Sequence, residues 1–230
     1  MGILYIVATP IGNLKDITIR AKEILEKVEF IACEDTRRTG LLIKQLGIEK
    51  KARFISFYEE NEQIKMYEII ALLQKGNNVA LVSDAGTPTI SDPGFKLVRE
   101  CIAIGIAVES IPGPSSVITA LTVSGLPTDK FLFIGYLPKK PGKRLKLLEE
   151  LKKTHQNTDQ LKSTIILLES PHRLIKSLEE LRVAYGNIYI VIARELTKMY
   201  EEVRREEIIN SIAHFSKTPP KGEFVLLFIL

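Results

Sequence analysis

The stretch Val79-Ala80-Leu81-Val82-Ser83-Asp84-Ala85-Gly86-Thr87-Pro88-Thr89-Ile90-Ser91-Asp92-Pro93-Gly94 decides how this chain is read. Four apolar residues run into Ser83 and Asp84, then into two turns rich in Gly, Pro and Asp. A short apolar run bounded by such residues predicts a buried strand that stops at a loop. In an open α/β sheet, ligands lie beyond the carboxyl ends of the strands. The loop after Val82 is therefore the first candidate site. Gly and Pro set its backbone, leaving N–H and C=O groups to face a ligand, and Asp84 puts a carboxylate at the strand end. The plainer alternative makes Asp84 the cap of the next helix.

Outward from this stretch, strand and helix alternate. Apolar runs at 3–8, 30–33, 54–57 and 107–111 read as further strands. Ile17, Ala21, Ile24, Leu25 and Val28 fall on one helical face, with Asp16 as its candidate cap. Residues 39–46, 60–75 and 95–104 read as helices stopped by Gly47, Gly76 and Gly105. This alternation predicts a mainly parallel sheet with helices on both faces and right-handed connections. Pro112-Gly113-Pro114 can continue neither a helix nor a central strand, so the expected domains are 1–112 and 113–230. Ser115 and Ser116 could then open a helix running through Val123, whose first N–H groups face a ligand.

The second half carries strands at 131–136, 164–168, 188–193 and 224–230, and helices from Leu174 and over 204–215. Pro171 suits the first turn of the helix carrying Leu174. Residues 139–162 hold eight basic and three acidic side chains, Asp159 among the latter. Such a run is either a solvated helix face or a patch for phosphates.

The bulk numbers bound the function. A chain of 230 residues, 45% hydrophobic and 26% charged, is globular. Net charge +4 permits a nucleic-acid partner without establishing one. Cys33 and Cys101 are far apart and lack metal spacing, which predicts reduced thiols and a cytoplasmic protein. The apolar run at 3–8 is too short to span a bilayer and lacks the flanks of a signal peptide. No G-x-G-x-x-G follows the first strand, and no P-loop or G-x-S-x-G elbow occurs. His155, His172 and His214 are scattered, so no metal site is expected.

Several motifs then recur in a familiar order. They are Tyr5-Ile6-Val7-Ala8-Thr9-Pro10-Ile11-Gly12-Asn13-Leu14, Glu34-Asp35-Thr36-Arg37, Val82-Ser83-Asp84-Ala85-Gly86-Thr87-Pro88, Asp92-Pro93-Gly94, Pro112-Gly113-Pro114, Arg194-Glu195-Leu196-Thr197-Lys198 and Lys221-Gly222-Glu223. Over nearly its full length the chain resembles the tetrapyrrole-methylase superfamily, in its branch acting on small-subunit ribosomal RNA. The resemblance implies an S-adenosylmethionine-dependent methyltransferase that 2′-O-methylates a cytidine ribose of 16S rRNA in the 30S subunit. It implies two α/β domains, the second with a mixed sheet, the cofactor in the cleft between them, and a homodimer. Thr9-Pro10-Ile11-Gly12 stands where tetrapyrrole enzymes carry a Gly-rich loop, which argues against a porphyrin substrate. The chain stops at Leu230, where the ribosomal branch usually carries a further helical segment.

Carried over residue by residue, the cofactor lies against Pro10, Asp84, Gly86, Thr87, Ser115 and Ser116, and against Leu168, Ala193, Arg194, Glu195 and Gly222. Candidate bases for the ribose proton are Glu34, Asp35 and Lys198, the lysine only if its pKa falls. Arg37, Arg38, Lys139, Lys140, Arg144 and Arg173 are the candidates for phosphate contacts. The rival readings are a methyltransferase of tetrapyrrole precursors and a non-catalytic RNA-binding module of the same fold.

Overall fold

The structure is a computed structural model and describes residues 1–49, 52–156 and 162–230. The chain divides into two compact units, Met1–Ser115 and Ser116–Leu230. The division falls just past the Pro112-Gly113-Pro114 turn.

The first unit is built on five parallel strands: β1 (Ile3–Val7), β2 (Phe30–Cys33), β3 (Arg53–Ser56), β4 (Val79–Leu81) and β5 (Ala107–Ile111), in the order β3-β2-β4-β1-β5. Helices α1 (Ile19–Lys27), α2 (Thr36–Gln45), α3 (Glu62–Gln74) and α4 (Phe95–Ala103) cover it. Side chains alternate across the sheet. Val79 and Leu81 join the core with α3 and α4, whereas Ala80 and Val82 join the core with α1 and α2. A strand buried on both faces has no polar alternation, which is why residues 79–82 read as a continuous apolar run.

The second unit has a mixed sheet of β6 (Phe131–Tyr136), β7 (Thr164–Glu169), β8 (Tyr189–Arg194), β9 (Glu202–Glu207) and β10 (Phe224–Phe228), in the order β6-β7-β10-β8-β9. β6 and β7 are parallel, and β10 is antiparallel to β7 and β8. Helices α6 (Pro141–Gln156), α7 (Leu174–Tyr185) and α8 (Ile208–Lys217) bury Leu148, Leu174, Leu178, Leu181, Ile208 and Phe215 in one core. Helix α5 (Ser116–Ser124) packs against β8, β9 and β10.

Four expectations are corrected. Asp16 does not cap α1; Thr18 does, its Oγ1 accepting the N–H of Ala21, while Asp16 lies in a 3-10 turn. α2 begins at Thr36, three residues early, because Asp35 caps it by accepting the N–H of Arg37. Residues 204–207 form a strand, not a helix. Their good helix formers hide a period of two. Arg204 pairs with Glu202 and Glu206 on one face, and Arg205 on the other donates to Ser124 O and Val123 O at the end of α5. Charged side chains of this kind suit an edge strand. Pro171 lies in a turn ahead of α7 rather than in its first turn. Asp159 of the basic run falls outside the described residues.

Candidate functional site

Parallel strands bring their carboxyl ends to one edge. In the first unit that edge collects Thr9 and Pro10 after β1, Glu34 and Asp35 after β2, Asp84 to Thr87 after β4, and Pro112 to Ser115 after β5. The loops are tied together. Thr9 and Gly86 exchange backbone bonds of 2.8 and 3.1 Å, and Thr9 Oγ1 donates to Ser83 O at 3.1 Å. Thr87 Oγ1 donates to Pro114 O at 3.0 Å. Asp84 is not a helix cap: Oδ1 accepts the N–H of Asp35 at 3.2 Å and Oδ2 accepts Arg38 Nη1 at 3.2 Å. The Gly86 N–H points into the protein, so Gly86 offers shape here rather than a donor.

The two acidic candidates behind β2 differ. Arg37 donates two side-chain bonds to the Asp35 carboxylate, at 3.0 and 2.7 Å, and its backbone N–H a third. These bonds, the Arg37 side chain first, hold the Asp35 carboxyl far below the usual carboxylate range. A carboxylate held so strongly ionised is a poor proton acceptor. Burial, then the nearby Asp92 and Asp84 carboxylates, push Glu34 up to about 7, against the opposing pull of the Asp84 N–H and Arg38. Arg37 and Arg38 are 89% and 71% exposed in their side chains, so both can still reach an anion.

In the second unit the register does the collecting. Leu168 and Ala193 both pair with Val225, and Glu169 and Arg194 both pair with Phe224. Leu168, Ala193, Arg194, Glu195 and Gly222 therefore meet at one edge of the sheet. Ala193 is fully buried and contributes only backbone. Arg194 Nε donates to Lys221 O at 2.7 Å. Glu195 accepts Lys198 Nζ at 2.8 Å and the Glu223 N–H at 3.0 Å. A Cβ added to Gly222, which has φ 91°, would lie inside the Glu195 side chain. Gly222 is thus the cradle for Glu195.

This arrangement corrects Lys198 as a base. Burial lowers its pKa, but bonds to Glu195 and to Glu223 Oε2 at 3.0 Å outweigh burial, and the pKa ends raised. Two carboxylates keep the ammonium charged, the reverse of what proton abstraction needs.

The basic candidates divide as well. Lys139 and Lys140 are exposed after β6. Arg144 is corrected: its side chain is 5% exposed, paired with Glu180 through Nε and Nη2, and donates to Pro138 O and Lys139 O. It fixes the loop that carries the two lysines and cannot reach a phosphate. Arg173 Nη2 donates to Leu137 O at 2.7 Å, and its Nε lies 3.5 Å from Glu169. Glu169 is buried and also accepts Ser177 Oγ at 2.5 Å. Sequence reading missed these anchors, since a single Glu at a strand end gives no pattern.

Among the described residues no group of His, Cys, Asp and Glu could hold a metal ion, and no helix is long and apolar enough to cross a membrane.

The family model described as Tetrapyrrole (Corrin/Porphyrin) Methylases matches residues 3–209. The chain belongs to this family. Among the family's curated members, the ribosomal RNA small subunit methyltransferase I of Hydrogenobaculum sp. (strain Y04AAS1) is 50% identical, the match covering 97% of this chain and 94% of that protein. The protein of the same name from Thermotoga maritima is 45% identical, covering 99% and 98%. That from Escherichia coli O157:H7 is 46% identical, covering 98% of this chain and 77% of its own length. Among solved structures, cobalt precorrin-4 methyltransferase aligns with TM-score 0.71 at 18% identity, covering 98% of this chain and 94% of that one. Diphthine synthase aligns with TM-score 0.72 at 15% identity, covering 99% and 90%. At such identities these structures share the fold of the tetrapyrrole methylases with this chain.

Proposed function

We propose that this chain is an S-adenosylmethionine-dependent methyltransferase of 16S ribosomal RNA, acting on the 2′-hydroxyl of a cytidine ribose in the small subunit. The relatives of 45–50% identity named for small-subunit rRNA methylation support the substrate class. The observation that carries the chemistry is Glu34, a half-buried carboxyl raised to about 7 between Asp84 and Asp92, beside the exposed guanidinium groups of Arg37 and Arg38.

The donor set fits the cofactor. The Asp84 carboxylate, the hydroxyls of Thr87 and Ser115 and the backbone carbonyl of Pro10, with the space left at Gly86, suit a ligand with sugar hydroxyls and a cationic sulfur. Ser116, Leu168, Ala193, Arg194 and the Glu195/Gly222 corner are the second unit's candidates for the same cofactor. When bound, S-adenosylmethionine supplies an activated methyl group.

The protein's own part is alignment and proton transfer. Arg37 and Arg38 hold phosphates flanking the target nucleotide, with Lys139 and Lys140 gripping the backbone further away. That hold aims the ribose oxygen along the line of transfer. Glu34 then takes the proton from the hydroxyl, a role suited to a carboxylate whose pKa lies near neutrality. Asp35 orients Arg37 and caps α2 rather than taking the proton. The protein works in the cytoplasm as a homodimer.

Incubating 30S subunits, naked 16S rRNA and, separately, a tetrapyrrole precursor with methyl-labelled S-adenosylmethionine tests the reading. Label at a ribose 2′-oxygen supports it. Label on a tetrapyrrole precursor and none on RNA overturns it, and an absence of cofactor binding by calorimetry leaves only an RNA-binding module.

A further inference from the structure

A cleft of about 290 Å3 lies between the segments that follow β3 and β4, lined by Glu59 and Glu62 on one side and by residues 91–96 on the other. Both walls are held. On the first, Asn61 Oδ1 accepts the N–H of Tyr58 at 2.8 Å and Asn61 Nδ2 donates to Ser56 O at 3.0 Å. Along the approach to the second, Thr89 and Ser91 sit at φ 72° and 62°, although neither is glycine. Such residues persist only where their surroundings over-determine them. The buried Glu62 carboxylate joins the walls: Oε1 accepts the N–H of Gly94 at 3.0 Å, and Oε2 accepts Lys96 Nζ at 2.8 Å. In the strand order β3-β2-β4, the exit of β2, which carries Glu34 and Asp35, lies between the exits of β3 and β4. It is bonded to both: the Phe57 N–H donates to Cys33 O at 2.8 Å, and the Asp35 N–H to Asp84 Oδ1 at 3.2 Å.

Three side chains of the cleft can meet a ligand. Glu59 is exposed, and its carboxylate has no hydrogen-bond or ion-pair partner among the described residues. Lys96 Nζ carries three donors, gives one to Glu62, and its side chain is 46% exposed. Phe95 is 63% exposed, with the Arg99 guanidinium 5.5 Å from its ring centroid. An exposed aromatic standing singly needs no explanation. This one shares a cleft with an unpaired acceptor and a spare donor. Sequence-specific recognition of RNA works on unstacked bases, laid on an aromatic ring and read along the Watson–Crick edge. Cytosine offers there an amino group at N4, which a glutamate accepts, and a carbonyl acceptor at O2.

We propose that this cleft takes the target nucleobase: Glu59 accepts the N4 amino group, Lys96 donates to O2, and Phe95 stacks on the ring. The proposal deepens the reading of the chain as an rRNA cytidine methyltransferase and rests on it. A base seated there leaves its ribose at the exit of β2, beside Glu34. Uracil is refused at Glu59, because its O4 is an acceptor and would face a carboxylate.

The test is a change of base preference. The nucleotide that the wild type labels in 30S subunits is mapped, and subunits are reconstituted with cytidine or uridine at that position. The wild type prefers cytidine by roughly ten- to a hundredfold in kcat/KM, the usual worth of a well-read base. A glutamine amide accepts from N4 through its oxygen and donates to O4 through its nitrogen. Glu59→Gln therefore brings the ratio down toward one, chiefly by raising transfer to uridine. Phe95→Leu raises KM for both RNAs and leaves the ratio alone. Glu59 is exposed and its carboxylate unpaired, so Glu59→Gln keeps the wild-type Tm. A cytidine-to-uridine ratio unchanged in Glu59→Gln, with the wild type active on RNA, overturns the proposal and leaves the substrate reading standing. A label that maps to another nucleotide, or no label on RNA at all, brings down the substrate reading and the role of the cleft with it.

Discussion

Lys198 Nζ lies 2.8 Å from Glu195 Oε1, and the same oxygen accepts the backbone N–H of Glu223. One carboxylate atom therefore joins the loop after β8 to the start of β10. Glu195 and Thr197 adopt φ of 49° and 66° within that loop. Burial pushes the Glu195 pKa up, but the bonds from Lys198 and Glu223 pull it further down. The cluster is a structural clasp at the Leu168/Ala193 edge of the second unit.

Lys198→Met accordingly weakens cofactor binding, raising KM for S-adenosylmethionine several-fold as the loop loosens. The shape of the pH–rate profile stays as in the wild type. A lost or displaced limb in this variant would restore Lys198 as the proton acceptor.

Glu34→Gln retains cofactor affinity by calorimetry and loses about 10²–10⁴-fold in transfer rate, the usual worth of a placed base. It also changes stability with pH. The native carboxyl, with its pKa raised to about 7 against an ordinary 4.5, holds its proton more tightly folded than unfolded. Wild-type stability therefore falls as pH rises between those values. Denaturant melts are expected to show Glu34→Gln gaining on the wild type across that window, with the full gain present at pH 8.

The basic stretch separates by salt dependence. Lys139→Ala with Lys140→Ala lowers the slope of log affinity for rRNA against log salt by about 2, with little change in Tm. Arg144→Met acts the other way. It leaves Glu180 without its partner and removes the bonds to Pro138 O and Lys139 O, costing on the order of 3 kcal/mol in unfolding free energy.

Asp35→Asn keeps an oxygen to cap α2 and preserves transfer, whereas Asp35→Ala frays the first turn and displaces Arg37. Hydrogen exchange at Arg37 and Arg38, read beside the transfer rate, checks the pair. Equal loss of transfer in both variants would return Asp35 to the list of bases.

What could be read from residues alone follows from how local each signal is. The apolar run at 79–82 and the Gly/Pro turns after it carry their own instructions, so strand and loop were both visible. The start of α2 was not, because Thr36-Arg37-Arg38 shows no apolar spacing and the cap at Asp35 declares itself only through the N–H that it accepts. β9 was misread because Glu and Arg favour helices, and its period of two acquires meaning only against α5 and the edge of the sheet. Arg144 looked like its neighbours in a charged run, and burial against Glu180 sets it apart. Glu34 and Asp35 are adjacent and chemically alike. Their division into a carboxyl raised toward neutrality and a strongly ionised helix cap depends on burial and Asp92 at the one and Arg37 at the other, a distinction made in space.

The exchange of backbone bonds between Thr9 and Gly86 has a dynamic consequence. An amide in a glycine turn ordinarily trades its hydrogen with water quickly. At Gly86 that trade must wait for the exits of β1 and β4 to part company, so the two strand exits open and close as one piece.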